Sequence, residues 1–288
     1  MSLGQKILVT GAGGQLGMEL REIASTECEW LFTDIEELDI CSEVAVREFV
    51  KSHHVGVIIN CAAYTNVDRA EQEQETAKRV NSDAVAILAK IAKEYDAKLI
   101  HISTDYIFGG EVHNTPIEED AEPSPLGVYG DTKLMGEMAI VESGCRYVIL
   151  RTAWLYSTHG RNFVKTIMKL ISECEQIRVV NDQIGSPTYA RDLALIIRDI
   201  CSECIAVEGI YNYTNEGEVS WYDFAVAIAQ ICGSKCEVLP CTTAEYGAKA
   251  PRPAYSVLDK EKIKRVLRCD IPQWRVSLEE CMKQMVQL

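Results

Sequence analysis

The chain has 288 residues, 47% of them hydrophobic and 25% charged, so it can bury a large core without disulfide bonds or a structural metal. A formal net charge of −14 at pH 7 disfavours binding to nucleic acid or to an anionic membrane. No apolar run reaches the roughly 18 residues of a membrane span, and no apolar leader precedes Ile7, so we expect a cytoplasmic protein with reduced thiols.

The first half of the chain alternates short apolar runs with longer stretches in which apolar residues recur at three- and four-residue steps. The apolar runs, typical of buried strands, cover residues 6–10, 30–33, 56–60, 98–102 and 146–151. The helical stretches cover residues 16–24, 44–50, 84–92 and 134–141. This alternation predicts an α/β fold with a doubly wound, Rossmann-like parallel sheet, and we assign residues 1–152 to a dinucleotide-binding domain.

The first predicted strand runs into a G-x-x-G-x-x-G motif, Thr10-Gly-Ala-Gly-Gly-Gln-Leu-Gly17, which then enters a helix. Glycines at such a turn let the backbone approach a pyrophosphate, and the N–H groups at the start of the helix face its charge. In this context we favour a cofactor site over an ordinary flexible turn. The predicted contacts are Gly11, Gly14, Gln15, Leu16 and Gly17.

The ends of the next two strands supply further candidate cofactor contacts. Asp34 ends the second strand, where a carboxylate accepts hydrogen bonds from the adenosine ribose and repels a 2′-phosphate. Asp34 therefore favours NADH, with NADPH as the alternative. Asp39 and Ile40 are predicted beside the adenine. The small residues after the third strand let the cofactor lie across the strand tips, and the predicted contacts there are Ala62, Ala63 and Tyr64.

A Tyr-x-x-x-Lys pair, Tyr129 and Lys133, begins a predicted helix, so both side chains lie on one helix face. An ammonium near a phenol lowers the pKa of the phenol, as a general acid for ketone reduction requires. Thr104 follows the fourth strand, where its hydroxyl can hold the substrate carbonyl against Tyr129. The alternative for the pair is an ordinary surface contact, since this spacing is common in helices.

The second half has a looser pattern with dispersed prolines. Strand–helix pairs at residues 177–200 and 209–231 suggest a smaller α/β substrate-binding domain over 153–288, with some segments returning to the main sheet. Cys201 and Cys204 have a metal-like spacing, but no second pair completes a ligand set, and we expect no metal there. The acidic stretch 68–75 is predicted to be the exposed face of a helix.

The glycine motif, Thr104 and the Tyr129/Lys133 pair together resemble the extended branch of the short-chain dehydrogenase/reductase family. Longer strings are similar to the dTDP-4-dehydrorhamnose reductase family within it. These strings are NCAAYTNVDRAE at 60–71, STDYIFG at 103–109, YGDTKLMGE at 129–137, RTAWLY at 151–156 and NDQIGSPT at 181–188. They are spread over most of the chain.

The resemblance implies reduction of the 4-keto group of dTDP-6-deoxy-L-lyxo-4-hexulose to dTDP-L-rhamnose, a precursor of cell-surface polysaccharide. It implies that the nicotinamide supplies hydride, that Tyr129 donates the proton, that Lys133 holds the nicotinamide ribose and that Thr104 orients the carbonyl. The implied substrate contacts are Asp105, Tyr106, Trp154, with an aromatic face for stacking, and Arg252 for the diphosphate. Arg161 is a second candidate for the diphosphate.

Two departures from related families leave alternatives open. Nucleotide-sugar dehydratases carry Asp then Glu after the Thr, whereas Tyr106 follows Asp105 here, which favours simple reduction. A reductase or epimerase of another nucleotide sugar, and a non-catalytic NAD(P)-binding regulatory subunit, remain alternatives. Some relatives hold Mg²⁺ at a dimer contact through a residue equivalent to Glu19, but Arg191-Asp192 stands where another acidic ligand is expected. Mg²⁺ dependence, and the choice between monomer and homodimer, stay open.

Overall fold

The computed structural model describes residues 6–26, 28–201, 207–247 and 250–287. The strands in these ranges are β1 (Lys6–Thr10), β2 (Glu29–Thr33), β3 (Val55–Asn60), β4 (Lys98–Thr104), β5 (Arg146–Thr152), β6 (Leu155–Tyr156), β7 (Gln176–Val180), β8 (Ile184–Gly185), β9 (Thr188–Tyr189), β10 (Gly209–Asn212), β11 (Val219–Ser220) and β12 (Glu237–Cys241). The α-helices are α1 (Gln15–Ile23), α2 (Glu43–His53), α3 (Val67–Ala70), α4 (Gln74–Lys78), α5 (Ala84–Glu94), α6 (Val128–Ser143), α7 (Phe163–Glu173), α8 (Ala190–Cys201), α9 (Trp221–Ile231), α10 (Thr243–Tyr246), α11 (Glu261–Leu267) and α12 (Trp274–Gln287), with a π-helical turn at Arg79–Asp83 and a 3-10 turn at Asp105–Phe108. Among these helices, every one is too short or too polar to serve as a membrane span.

The central sheet has six parallel strands in the order β10-β5-β4-β3-β1-β2. Its strands are buried on both faces, which explains why they read as continuous apolar runs rather than as alternating patterns. From β1 the chain adds β2 on one side, and it then adds β3, β4 and β5 on the other side, so the strand order switches between β1 and β3. In such sheets the ligand crevice lies at this switch point, at the carboxyl ends of the strands. The predicted doubly wound parallel sheet is confirmed.

Helices cover both faces of the central sheet. On one face, Leu20 of α1 packs with Leu193 of α8 against Val9 and Ile59. On the other face, α2 and α5 pack through Val46 and Leu88, in a cluster that also contains Leu8 and Ile58. Adjacent residues of β1 and β3 thus serve opposite layers, as the period of two in a strand requires.

The second half builds a smaller cluster from α7, α9 and α12, which pack on the parallel pair β7 and β12. Two segments of this half lie with the main sheet, because β10 pairs with β5 and α8 packs on α1. The division of the chain after Thr152 stays a prediction. Of the Cys-x-x-Cys pair, Cys201 ends α8, whereas Cys204 lies outside the described residues.

Candidate active site

A cavity of about 830 Å³ lies at the carboxyl ends of the central strands. All the residues predicted to contact the cofactor lie on its wall: Gly11, Gly14, Gln15, Leu16, Gly17, Asp34, Asp39, Ile40, Ala62, Ala63, Tyr64, Tyr129 and Lys133. The predicted substrate residues Thr104, Asp105, Tyr106 and Trp154 line the same cavity. The fold therefore brings together side chains that lie up to about 140 positions apart in the sequence.

The glycine turn between β1 and α1 packs directly on the end of β3. Gly11 has a φ of +64°, and a Cβ on it would lie 2.6 Å from the backbone nitrogen of Ala62. A Cβ on Gly17 would lie 2.5 Å from the Cα of Ala12. No side chain caps α1 at Gly14, so the positive end of this helix is available to an anion. These residues fit the pyrophosphate of a dinucleotide.

Asp34 is held in place at the far end of the same cavity. Its Oδ2 accepts a hydrogen bond of 2.8 Å from the backbone N–H of Gly13, and its Oδ1 accepts one of 2.8 Å from that of Ile35. The carboxylate is thereby fixed beside the glycine turn. A ligand hydroxyl that reaches the end of β2 meets an oriented acceptor, and a phosphate there meets a fixed negative charge.

The candidate catalytic side chains converge from β4 and α6. Thr104 ends β4, and its hydroxyl donates to Oδ1 of Asp105 at 3.1 Å while lying beside the phenol of Tyr129 on the cavity wall. The ring of Tyr106 packs edge-on against Tyr129, with 5.4 Å between ring centroids. One helical turn later, the buried Lys133 donates to the backbone oxygen of Ile102 at 2.5 Å. The structure thus places the hydroxyl, the phenol and the amine at one point of the cavity.

The electrostatics of this group differ from the sequence-based prediction in one respect. Desolvation raises the pKa of Tyr129 to about 12, and the neighbouring hydroxyl of Thr104 opposes that rise only in part. Desolvation also lowers the pKa of Lys133 to about 8. The prediction that Lys133 lowers the pKa of Tyr129 is wrong in this structure, because the amine bonds to the backbone of β4 and burial dominates the pKa of Tyr129. Tyr129 stays protonated at neutral pH, as a proton donor must.

Asp105 is a buried carboxyl group beside Thr104. Desolvation raises its pKa to about 6, against the lowering effect of hydrogen bonds from Ser256 and Thr104. Its Oδ2 has no hydrogen-bond partner within the described part of the chain. Close to neutral pH, the carboxyl group of Asp105 can therefore either donate a hydrogen bond to a ligand in the cavity, when protonated, or accept one, when ionised.

Replacing Asp105 by asparagine is expected to stabilise the protein at pH 7 and not at pH 4. The pKa of Asp105 rises from 3.8 to about 6 on folding, so between these pH values the folded protein binds more protons than the unfolded chain. The stability of the protein therefore falls as the pH rises from about 4 to about 6. Asp105→Asn removes this loss, and we expect a gain of about 1–3 kcal/mol at pH 7. Urea unfolding at both pH values measures it. Equal stability changes at pH 4 and pH 7 would contradict the assignment.

Trp154 lies on the cavity wall with both faces covered. One face stacks on Trp221 at a centroid distance of 3.5 Å and an angle of 9°. The other lies against Gly185, where a Cβ would come within 2.7 Å of the ring. This packing leaves no free face of the Trp154 ring in the structure, and the contact of Trp154 with a substrate stays a prediction. Trp221, which begins α9 and also lines the cavity, was missed because its sequence context is that of an ordinary amphipathic helix.

The two arginine candidates for the diphosphate lie in different places. Arg161 lies on the cavity wall and is exposed. Arg252 is not among the described residues that line the cavity, and its Nη2 lies 3.0 Å from a carboxylate oxygen of Asp68. Arg252 also donates to the backbone oxygen of Ala250 at 3.1 Å. The diphosphate contact of either residue stays a prediction.

The acidic stretch 68–75 covers parts of α3 and α4 and the turn between them, and its exposed residues, such as Glu75, lie beside half-buried ones. The prediction of one exposed helix face is therefore only partly correct. Asp68 pairs with Arg252, and Glu71 accepts a hydrogen bond of 2.9 Å from the backbone N–H of Val128 at the start of α6. Glu73 accepts one of 2.6 Å from the hydroxyl of Tyr64. These carboxylates connect the cofactor wall, the helix that carries Tyr129 and Lys133, and the segment that carries Arg252.

The site expected for Mg²⁺ in some relatives does not fit a cation in this chain. Glu19, Glu22 and His159 bring three potential ligand atoms within 4.8 Å of one another. However, Nη1 of Arg191 lies 3.4 Å from Glu19 and 2.8 Å from Glu22, and Glu19 accepts a hydrogen bond of 2.5 Å from Ser157. The guanidinium already neutralises the carboxylates that a cation would bind.

We therefore expect turnover and the thermal unfolding midpoint to be the same in excess EDTA and in millimolar Mg²⁺. A salt of a monovalent cation at matched ionic strength controls for screening of the surface charges. Activity that falls in EDTA and returns with Mg²⁺ would show that a cation displaces Arg191 from this cluster.

Comparison with known proteins gives the relatives of the chain. A family model described as the RmlD substrate binding domain matches residues 5–287. The chain is 40% identical over 286 residues to a dTDP-4-dehydrorhamnose reductase of Aggregatibacter actinomycetemcomitans, covering 95% of this chain and 97% of the relative. It is 39% identical over 280 residues to the spore coat polysaccharide biosynthesis protein SpsK of Bacillus subtilis, covering 97% of each.

Comparison with solved structures also matches the chain to dTDP-4-dehydrorhamnose reductases. The crystal structure of dTDP-4-dehydrorhamnose reductase from Bacillus anthracis, in complex with NADP, matches with a TM-score of 0.94 at 38% identity. The match covers 98% of this chain and 99% of that chain. The likeness therefore extends over both the central sheet and the second half.

Proposed function

Because the chain belongs to the dTDP-4-dehydrorhamnose reductase (RmlD) family, we propose that it reduces the 4-keto group of dTDP-6-deoxy-L-lyxo-4-hexulose to give dTDP-L-rhamnose with a nicotinamide cofactor. The observation that carries this proposal is the convergence of Thr104, Tyr129 and Lys133 in the cavity whose far end holds the glycine turn. That convergence puts a proton donor where a dinucleotide would present its reactive end.

The proposed reaction adds one hydride and one proton across the carbonyl. When bound, the reduced nicotinamide supplies the hydride to C4. Tyr129 donates its phenolic proton to the carbonyl oxygen, which becomes the product hydroxyl, and Tyr129 is left as a phenolate. Thr104 donates a hydrogen bond that orients the same oxygen. Lys133, in the protonated form, stabilises the phenolate until solvent restores its proton.

The alternatives differ from this proposal in substrate or in catalysis. A reductase or epimerase of another nucleotide sugar would use the same Tyr129 and Lys133. A regulatory subunit would bind the cofactor without turnover. The intact hydroxyl, phenol and amine favour an enzyme, and Tyr106 in the position of a dehydratase glutamate favours reduction without loss of water.

The test is the loss of reduced-nicotinamide absorbance when the purified protein meets NADH or NADPH and enzymatically generated dTDP-4-keto-L-rhamnose. Identification of the product sugar by NMR distinguishes reduction from epimerisation. Turnover restricted to UDP- or GDP-linked keto sugars would support the alternative substrate class. Cofactor binding without turnover on any of these would support the regulatory alternative.

We also propose that NADH is preferred over NADPH, because the Asp34 carboxylate is fixed by Gly13 and Ile35 where a 2′-phosphate would lie. A relative binds NADP in its solved structure, so the comparison is informative. We expect Asp34→Asn to raise kcat/KM for NADPH about tenfold and to change that for NADH much less. A wild-type preference for NADPH that Asp34→Asn leaves unchanged would contradict the role of Asp34.

The assembly and location of the protein stay predictions. We expect a cytoplasmic monomer or homodimer that binds no nucleic acid. Size-exclusion chromatography with light scattering distinguishes the 32.1 kDa monomer from a dimer.

A further inference from the structure

A buried chain of hydrogen bonds leads from β1 to the catalytic amine. Oγ1 of Thr10 lies 2.7 Å from Oδ1 of Asn60, and Nδ2 of Asn60 lies 3.0 Å from Nδ1 of His101. Nε2 of His101 lies 3.1 Å from Nζ of Lys133. All four side chains are at most 1% exposed. The reaction proposed above gives Asn60 and His101 no role.

The donor and the acceptor in each of these hydrogen bonds follow from a backbone contact of Asn60. The backbone N–H of Ala62 can only donate, and it lies 3.2 Å from Oδ1 of Asn60. The amide of Asn60 therefore turns its NH₂ group towards Nδ1 of His101, which must accept. A neutral imidazole has a single N–H, and in His101 this leaves it on Nε2, facing Nζ of Lys133.

An ammonium has no lone pair, so only the uncharged amine of Lys133 can accept from Nε2 of His101. The amine in turn donates to the backbone oxygen of Ile102. An imidazolium at position 101 would direct a second N–H at the NH₂ group of Asn60, so the neutral ring fits this contact better. Burial independently holds the pKa of His101 well below its usual value. The observed pattern is complete with a neutral histidine and a neutral lysine.

The other ionisable groups around Lys133 do not supply a free negative charge. Glu137, one turn further along α6, forms a bidentate pair with Arg151 of β5. Burial raises the pKa of the Cys61 thiol, beyond the end of β3, to about 12 and keeps it neutral. Tyr129 is neutral for the reason given above. Within the described part of the chain, Lys133 thus has no counter-ion that is not already paired with another cation.

We propose that His101, oriented by Asn60, is a positioning residue that favours the uncharged amine of Lys133 in the cofactor-free protein, so that filling the cavity draws a proton from solvent onto Lys133. The inference rests on the proposed function, in which a dinucleotide brings two phosphate charges and ribose hydroxyl acceptors that favour the ammonium. The proton moves from bulk water to Nζ, and the resulting charge is the one that stabilises the Tyr129 phenolate.

The first test measures the charge of Lys133 directly, by NMR titration of lysine ¹³Cε signals in the cofactor-free protein. Lys133→Arg identifies the signal by its loss. We expect it to titrate near pH 8, well below the other lysines. In His101→Gln, whose side-chain oxygen accepts from an ammonium, we expect a rise of about one pH unit or more. His53→Gln, a histidine at the end of α2, is the control and leaves the signal in place.

The second test uses isothermal titration of NADH at pH 8.5 in buffers of different ionisation enthalpy. With a Lys133 pKa of about 8, the wild type is expected to take up about 0.8 proton for each NADH bound, and His101→Gln, with a pKa about one unit higher, about 0.2 or less. If His101→Gln does not fold, Asn60→Ser replaces it, since a hydroxyl can accept from Nδ1 and so frees Nε2 to accept from the ammonium.

Two results would overturn the inference. The first is a Lys133 signal that titrates in the same pH range as the surface lysines, and the second is a low Lys133 pKa that persists in both His101→Gln and Asn60→Ser. Neither NMR result depends on turnover. A protein that fails to reduce the keto sugar but shows the His101-dependent shift would refute the proposed function and leave this inference standing.

Discussion

Tyr129→Phe lowers kcat by about 10²- to 10⁴-fold, the range that general acid catalysis contributes, and leaves the affinity for the nicotinamide cofactor nearly unchanged. The substitution removes only the hydroxyl, so the edge-on packing against Tyr106 is kept. The proton donor is lost, because the phenylalanine ring carries no hydroxyl. Steady-state kinetics gives kcat, and the fluorescence of bound NADH or NADPH gives the affinity.

Tyr106→Phe is the matched control for this prediction. It removes a neighbouring phenol from the same cavity and keeps the same ring contact. We expect a loss in kcat at least tenfold smaller than in Tyr129→Phe, since Tyr106 has no bond to Thr104 through its hydroxyl in the proposed reaction. Equal losses in the two variants would mean that Tyr129 is not the proton donor.

Most of the fold and the centre of the site follow from local signals in the sequence. The strands read as apolar runs because both faces of a parallel sheet are buried, and Thr104 was placed correctly because it directly follows such a run. Tyr129 and Lys133 share a helix face by their spacing alone. Each of these positions depends on neighbours within about one helical turn or one strand.

The errors all involve partners that are distant in the sequence. Local pattern predicts the exposure of Asp68 but not its pairing with Arg252, which lies 184 positions away. The faces of Trp154 are covered by Trp221 and Gly185, which no local pattern connects to it. Charge patterning and spacing carry no information on such contacts, which only the packing of the second half onto the first creates.

The pKa of Tyr129 was mispredicted for a related reason. Spacing shows that Lys133 lies one turn away, but it does not show how far both groups are removed from water. Desolvation acts on the two groups in opposite senses, raising the pKa of the phenol and lowering that of the amine. Burial therefore shifts both groups towards their neutral forms. The bonds of His101 require the neutral amine of Lys133, which predominates above about pH 8.

Arg151→Met is expected to lower the free energy of unfolding by about 3–5 kcal/mol, because it leaves a buried carboxylate without its partner. Arg151 and Glu137 are each 3% exposed and form two parallel hydrogen bonds, of 3.1 Å and 2.8 Å. Arg151 also donates to the backbone oxygen of Glu119 at 2.8 Å. The pair fastens α6 to β5, so urea unfolding of the variant reports the attachment of the catalytic helix.

The double variant Glu137→Met with Arg151→Met separates the loss of the pair from the burial of a lone charge. We expect it to recover most of the stability, since well-packed apolar side chains replace buried ion pairs at little cost. Arg47→Met breaks the more exposed pair of Arg47 with Glu43 and should change stability far less than Arg151→Met does. If Arg151→Met were as mild as Arg47→Met, the carboxylate of Glu137 would have to pair with another cation. The neighbouring Lys133 is the candidate, because the freed negative charge of Glu137 favours the ammonium form of Lys133. The ¹³Cε titration of Lys133 in Arg151→Met would then rise above its wild-type value, which connects the stability of α6 to the proton on the catalytic amine.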